Sequence, residues 1–379
     1  MAPAIGIRRD RALTVTLSGL TANEAALLQK IILTSDRPDR PASEQTRPGV
    51  LSIHGSLAQL RHCLGRLARN QQLPGPLRTL VASRLDNALR SDYKMVIKGR
   101  TLDLGSRTHI MGILNITPDS FSDGGRFSGP EQAVEHARAM AAAGADIIDV
   151  GGESTRPGAE PLAEDEELRR ILPVIERIAA DLPVPVSVDT YKASVARRAL
   201  AAGASIVNDI SGLRFSPDMA RIAADHGANL VVMHIKGTPR DMQANPVYDD
   251  VVGEIAEYLN GGIEIALAAG VPRDRVLVDP GIGFGKTLEH NLEILGRLDE
   301  LKVLGCPLVV GTSRKRFIGT VLGIADPKDR VEGTAATVAL AIERGAHIVR
   351  VHDVAAMVRV ARMADAIVKH KKHFDGITG

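Results

Sequence analysis

From about residue 109 onward, short apolar runs alternate with longer stretches whose apolar residues recur at helical spacing, and a polar cluster follows nearly every run. The runs are His109 to Leu114, Asp146 to Val150, Val184 to Val188, Ser205 to Val207, Asn229 to Met233, Val276 to Val278, Leu308 to Val310 and His347 to Val351. Near-continuous apolar runs of this length are what strands buried on both faces of a parallel sheet require. Between them lie Ala-rich amphipathic stretches of helix length, such as Glu131 to Ala143, Glu164 to Ala180 and Val331 to Arg344. Eight strand and helix units in regular alternation predict an α/β fold, a (β/α)8 TIM barrel. In such a barrel the chemistry sits at the C-terminal ends of the strands. Here those ends read NITPDSFSDGG, GGESTRPGA, DTYK, NDISG, MHIKG, DPGIGFGKT, GTSRKRF and RVHD.

Residues 1–92 do not share this rhythm, and a Pro- and Arg-rich interruption runs from Arg37 to Pro48. Strands at Leu13 to Leu17 and Val50 to Ile53, with helices at Asn23 to Leu33, Leu57 to Ala68 and Leu77 to Leu89, predict a small α+β domain preceding the barrel. It carries no Gly-rich phosphate loop, no ligand-spaced His cluster and no nucleophile beside a base. Tyr93 to Leu104 holds two short strand-like pieces around Lys98, Gly99 and Arg100, the pattern of a hairpin closing the bottom of the barrel. The barrel domain is therefore expected over residues 93–379.

Composition narrows the setting. A chain of 379 residues, 44% hydrophobic, is long enough for one barrel plus a smaller unit. A net charge of +2 gives no general reason to expect nucleic acid or an anionic membrane surface, so any anion site must be local. No apolar stretch approaches the roughly 20 residues needed to cross a bilayer. Cys63 and Cys306 show no CxxC pairing and read as buried, reduced thiols. The N-terminal arginines Arg8, Arg9 and Arg11 are followed by a short apolar run but by no sustained hydrophobic segment with a small-residue cleavage site, which points to a cytoplasmic chain.

Asp189, Asn208 and Asp279 end three of the strands and should line one mouth. Two carboxylates and an amide suit a planar heterocycle with an amidine-like edge, such as a 2-amino-4-oxo-pyrimidine ring, because an ionised Asp accepts two parallel N–H bonds. The plainer alternative for Asp189 is a cap on the helix that follows. Ser313, Arg314, Lys315 and Arg316 end the seventh strand, and Arg350 and His352 the eighth, where barrels often bind phosphate. They supply local positive charge, although such a run can also be a solvated face. The loops Asn115 to Gly125 and Thr155 to Gly158 combine hydroxyls, Asn, Arg and glycines, and read as loops over a site. Two tempting matches fail. GIGFGKT lacks a phosphate loop's first glycine, since Pro280 stands five residues before Gly285. Asn115-Ile116-Thr117 fits a glycosylation sequon, but at a strand end without a secretory signal. His234 reads as a hydrogen-bonded structural residue, and no HxH or HExxH spacing points to a transition metal.

Taken in order, Met111 to Phe127, Asp149 to Ala159, Ser187 to Thr190, Asn208 to Gly212, Met233 to Pro239, Asp279 to Lys286, Ser313 to Lys315 and Arg350 to Asp353 resemble the dihydropteroate synthase family over roughly residues 94–370. ILNITPDSFSDGG and GGESTRPGA are the most specific of these motifs. The resemblance implies an enzyme of folate biosynthesis. It would join 6-hydroxymethyl-7,8-dihydropterin diphosphate to 4-aminobenzoate, yielding 7,8-dihydropteroate and diphosphate by an SN1-like route, with sulfonamides competing for the aminobenzoate site. It implies that Asp189, Asn208, Asp279 and Lys315 surround the pterin with Met233 in the wall, and that Asn115, Thr155, Arg350 and His352 hold the diphosphate. It implies Mg2+ as cofactor, meeting Asn115 and phosphate oxygens. It also implies that Phe121, Asp123, Thr155, Arg156 and Pro157 belong to two closing loops, and that Phe121, Arg156, Pro157, Phe284, Lys315 and Arg316 form the aminobenzoate side. A homodimer is the family's common state.

Two positions depart from the family's common form: Lys236 stands where MHMQG has Gln, and Arg316 where many members have Ser. Arg316 puts sulfonamide affinity and the carboxylate contact in question. A competing class on the same barrel, methyl transfer from methyltetrahydrofolate to a corrinoid protein, would need the ring-binding residues but no diphosphate clamp. A binding protein would lose a clamp or loop residue, and none is lost.

Overall fold

The structure is a computed structural model and describes residues 4–10, 12–18, 20–33, 41–48, 50–55, 57–90, 92–97, 99–116, 129–156 and 158–375. The chain falls into two compact units. The first comprises residues 1–91 with 252–257 and 297–305, the second residues 92–251, 258–296 and 306–379.

In the first unit β1 (Ala4–Asp10), β2 (Ala12–Ser18), β3 (Ala42–Arg47) and β4 (Val50–Gly55) form an antiparallel sheet in the order β1-β2-β4-β3. Three helices, α1 (Ala22–Leu33), α2 (Leu57–Arg69) and α3 (Gly75–Leu89), complete it. Helix α1 starts in a capping box: Glu24 N donates to Thr21 Oγ1, while Thr21 N donates to the Glu24 carboxylate. Leu28, Ile32, Leu51, Ile53, Leu64 and Leu67 are fully buried in this unit. The α+β character matches the expectation, but two strands escaped it. Strand β3 lies inside the stretch read as an interruption. Its sequence, ASEQTR, is that of an edge strand with exposed Ala42, Glu44 and Gln45, so no apolar alternation marks it.

The second unit opens with the hairpin β5 (Lys94–Ile97) and β6 (Arg100–Asp103). Eight parallel strands follow: β7 (His109–Asn115), β8 (Ile147–Gly151), β9 (Val186–Asp189), β10 (Ile206–Asp209), β11 (Asn229–Met233), β12 (Val276–Asp279), β13 (Val309–Val310) and β14 (Ile348–Val351). The sheet order is β12-β11-β10-β9-β8-β7-β14-β13, and a bridge between Val278 and Leu308 joins its two ends into a closed (β/α)8 TIM barrel. The connecting helices are α4 (Pro130–Ala142), α5 (Glu164–Asp181), α6 (Ala193–Ala201), α7 (Met219–Asp225), α8 (Val251–Ala268), α9 (Leu288–Gly296), α10 (Arg316–Leu322), α11 (Val331–Glu343) and α12 (Val354–Asp375). Among the described residues no helix is long and apolar enough to cross a membrane.

The hairpin closes the N-terminal end of the barrel. Tyr93, Met95, Ile97 and Leu104 form one buried cluster with Met111, Ile147, Ile206, Val231, Leu277, Val309 and Ile348, which are inward residues of the barrel strands. Asn229 Nδ2 donates to the Val96 carbonyl and fixes the hairpin's edge. With that end filled by apolar side chains, polar groups can converge only at the opposite end.

Candidate active site

Strand register puts the first group of polar residues in line. Asn115 pairs with Gly151, Gly151 with Asp189, and Asp189 with Asn208, giving one row across β7 to β10. Paired residues of neighbouring parallel strands share a face, so Asn115, Asp189 and Asn208 point the same way. Gly151 leaves room within the row: a Cβ there would lie 3.5 Å from Asp189 Cβ and 3.7 Å from Asn115 Oδ1. Two residues before Gly151, and hence on the same face one layer deeper, sits Asp149. On the far side of the mouth Met233 pairs with Asp279 across β11 and β12, and both are buried.

Arg350 of β14 links Asp189 in this row to Asp149 below it. Its Nε donates to Asp149 Oδ2 and its Nη2 to Asp189 Oδ2, each at 2.6 Å. Asp149 Oδ2 also accepts Asn208 Nδ2 at 3.2 Å. The second oxygens of Asp149 and Asp189 are buried and accept nothing from the described residues. Burial pushes the Asp189 carboxyl above its ordinary range, against the pull of Arg350 and with the repulsion of Asp149. Burial raises Asp279 as well, against the pull of Lys315 and the Gly281 N–H it accepts. Carboxyls held in this way are poised to gain cationic or N–H partners. The capping alternative for Asp189 does not hold: α6 begins after Lys192, whose N–H is taken by Thr190 Oγ1, while Asp189 faces Arg350.

The basic run after β13 divides its labour. Arg314, at a positive φ of 60°, turns away and binds Asp353 through Nε at 3.0 Å and Nη2 at 2.5 Å. Its charge is thereby spent on joining the ends of β13 and β14, so the expectation that it adds free positive charge to the mouth is corrected. Ser313 Oγ meets both the backbone N–H and Nδ1 of His352, at 3.1 and 3.0 Å. Burial, with Arg350 and Arg314 nearby, lowers His352 to about 3, so its imidazole is neutral and fixed at Nδ1. Lys315 points inward: its ammonium donates to the Ile282 carbonyl and lies 4.8 Å from the centre of the Phe284 ring. Burial lowers it to about 8, opposed by Asp279. Arg316, the first residue of α10, is exposed.

Thr155 is half-buried and Arg156 exposed in the segment after β8. Phe121, Asp123 and Pro157 lie outside the described residues. The base of the Thr155 segment is anchored by Glu153, which accepts Tyr191 Oη at 2.8 Å and pairs with Lys192. Lys192 also binds Glu167 Oε2 and the Leu162 carbonyl, at 2.6 and 2.7 Å.

The glycines of GIGFGKT serve close packing, in keeping with rejection of a phosphate loop. Gly281 has φ of +66°, and a Cβ there would fall 1.9 Å from the His234 carbonyl; at Gly285 it would fall 2.4 Å from that of Lys236. His234 is structural: it is buried against Tyr258, and its Nδ1 lies 2.9 Å from Lys286 Nζ, which also donates to the Phe284 carbonyl. Burial drives Lys286 well below the usual lysine range. Lys236 lies over the Tyr248 ring at 4.0 Å and donates to the Val247 carbonyl. Residue-level reasoning passed over Asp149, Lys286 and the Glu153, Lys192 and Glu167 cluster. For Asp149 the signal was present: a carboxylate in the apolar run IIDVG, in phase with the strand-end row.

The family described as pterin binding enzyme matches residues 111–352. Dihydropteroate synthase from Synechocystis sp. is 51% identical over 270 residues, covering 71% of this chain and 93% of that protein. The chain belongs to the dihydropteroate synthase family. A dihydropteroate synthase of Yersinia pestis, solved with a sulfonamide drug complex, matches at 45% identity with a TM-score of 0.69, covering 72% of this chain and 98% of that one. That of Xanthomonas albilineans, in complex with 7,8-dihydropteroate, matches at 43% identity with a TM-score of 0.66, covering 72% and 98%.

Proposed function

We propose that this enzyme condenses 6-hydroxymethyl-7,8-dihydropterin diphosphate with 4-aminobenzoate to give 7,8-dihydropteroate and diphosphate, and that sulfonamides compete for its aminobenzoate site. The observation that carries the reading is the register row Asn115, Asp189 and Asn208, with Arg350 bound to Asp189 and with Asp279 and Lys315 close by. A ring rich in N–H donors answers the acceptor set, and the diphosphate answers Arg350 and His352. The relative solved with 7,8-dihydropteroate carries the two substrate halves already joined.

In this reading Asp189, Asn208 and Asp279 accept the ring's N–H groups, Lys315 donates to its edge, and Met233 forms the wall. Asn115, Thr155, Arg350 and His352 hold the diphosphate. Phe284, Lys315, Arg156 and Arg316 form the aminobenzoate side with Phe121 and Pro157, and Asp123 acts from the first loop. The bond from the exocyclic methylene carbon to the diphosphate oxygen breaks ahead of attack, its electron pair leaving with the oxygen. The electron-rich dihydropterin stabilises the positive charge left on the carbon. The aryl amine then forms the C–N bond and gives up one proton. Arg350 and neutral His352, as preorganised donors, stabilise charge gathering on the departing group.

The residues fit Mg2+. A hard cation that keeps its waters and phosphate oxygens asks the protein for only one or two oxygens. The Asn115 amide oxygen lies beside the space left open at Gly151. Bound there, Mg2+ would neutralise charge on the diphosphate.

Residues 1–92 serve as an interaction or stability domain, and the enzyme acts in the cytoplasm. A homodimer would cover exposed Val321 and Leu322 of α10, Leu340 of α11, and Met363 and Ile367 of α12, apolar groups that otherwise face water. The test of the activity is product formation. With both substrates and Mg2+ the enzyme forms 7,8-dihydropteroate, and a sulfonamide raises the KM for 4-aminobenzoate without lowering kcat. Absence of product under these conditions refutes it.

A further inference from the structure

We infer that Asp149 is a positioning residue that sets the hydrogen-bond polarity of the pterin pocket and holds the pivot of the diphosphate clamp. The inference rests on the proposed pterin chemistry, and no substrate contact is assigned to Asp149 itself.

Asp149 is completely buried in the middle of β8, below the register row. One oxygen, Oδ2, accepts both Asn208 Nδ2 and Arg350 Nε. A carboxylate oxygen only accepts, so it forces the amide of Asn208 to turn its NH2 group inward. Asn208 Oδ1 then accepts nothing from the described residues and is the atom left for a ligand. Without Asp149 the amide could present either end. With it, Asp189, Asn208 and Asp279 all offer acceptors, so a ring with several N–H donors is matched and a ring offering acceptors at those points is repelled.

The same oxygen orders Arg350. Its Nε, the guanidinium nitrogen next to the chain, is held by Asp149, while Nη2 lies on Asp189. A ring edge that takes both Asp189 oxygens shares Oδ2 with Nη2 and weakens its hold. Held at Nε, the guanidinium keeps its place while its outer nitrogens become free for the diphosphate. Ring recognition and diphosphate capture are therefore linked through one buried carboxylate, although they involve different ends of the substrate.

The experiment compares Asp149→Ala with Asp149→Asn, which keeps an acceptor oxygen in place, against the wild-type enzyme. Loss of a hydrogen bond to a buried charged group corresponds to about 10- to 100-fold in affinity. The expected result is a rise of that size in the KM for the pterin diphosphate in Asp149→Ala, an unchanged KM for 4-aminobenzoate, and recovery of most of the loss in Asp149→Asn. Calorimetric titration of the pterin diphosphate without 4-aminobenzoate should show the same order. A pterin KM in Asp149→Ala equal to the wild type overturns the inference. So does equal impairment in the Ala and Asn variants, which would assign the effect to charge alone, or a parallel rise in both KM values with a lowered melting temperature, which would assign it to structure. If the wild-type enzyme itself forms no dihydropteroate, the proposed function fails before this inference is reached.

Discussion

The two ends of the same eight strands are built on opposite principles. At the N-terminal end, Met111, Ile147, Ile206, Val231, Leu277, Val309 and Ile348 close against a hairpin with no charged side chain among them. At the C-terminal end, Asp149, Asp189, Asn208, Asp279, Lys315, Arg350 and His352 crowd together, several of them with a titration displaced by burial. Apolar packing is non-directional and tolerates modest change, whereas buried charges are costly unless their partners sit in fixed positions. The apolar end therefore contributes to folding alone, whereas the charged end carries the chemistry and, through its paired charges, part of the stability. Substitutions at the apolar end should leave turnover untouched, and those at the charged end should affect both.

The largest effect is expected at Arg350. Arg350→Ala should lower kcat/KM by about 10²- to 10³-fold, as loss of a preorganised donor to a charge-bearing oxygen does. It should also destabilise the fold by about 3–5 kcal/mol, because the Asp149 and Asp189 carboxylates lose their shared partner. Steady-state kinetics beside denaturant unfolding measures both; full activity in the variant would remove Arg350 from the clamp. Met95→Ala, at the other end, should cost about 2–5 kcal/mol of stability through the cavity it leaves, with kcat per folded molecule unchanged. A lower kcat without loss of stability would erase the contrast between the ends.

A smaller effect is expected from pH. Lys315, lowered to about 8 from an ordinary 10.5, is charged below that value, so kcat/KM should fall as pH rises through about 8. For stability the sign is the reverse. Between about 8 and 10.5 the unfolded chain holds a proton that the folded chain has lost, so this group's contribution makes stability rise with pH across that window. A flat rate profile from pH 7 to about 9 would contradict the role given to Lys315. Arg316→Ser should have the smallest effect. Since Arg316 is exposed, the KM for 4-aminobenzoate should move by no more than about threefold, the scale of a weak exposed ion pair.

The barrel strands were legible because burial on both faces demands unbroken apolar runs, and the hairpin plug because Lys98-Gly99-Arg100 marks a turn between two short strands. The register row was legible at Asp189 and Asn208, each at or near a strand end. The division of the Ser313 to Arg316 run was not. Which way Arg314 turns depends on a left-handed backbone conformation that its sequence neighbours do not specify. Strand β3 is hard to read because an exposed edge needs no apolar pattern, and Asp149 because it lies inside an apolar run, two positions below the polar strand end.

The most direct measurement counts diphosphate released against 7,8-dihydropteroate formed by the wild-type enzyme with Mg2+, in the presence and absence of 4-aminobenzoate. One diphosphate per dihydropteroate, with release falling sharply when 4-aminobenzoate is withheld, is the result expected of a mouth that couples departure to capture by the amine. Diphosphate released at the same rate without 4-aminobenzoate, or no release despite tight pterin binding, would contradict the account.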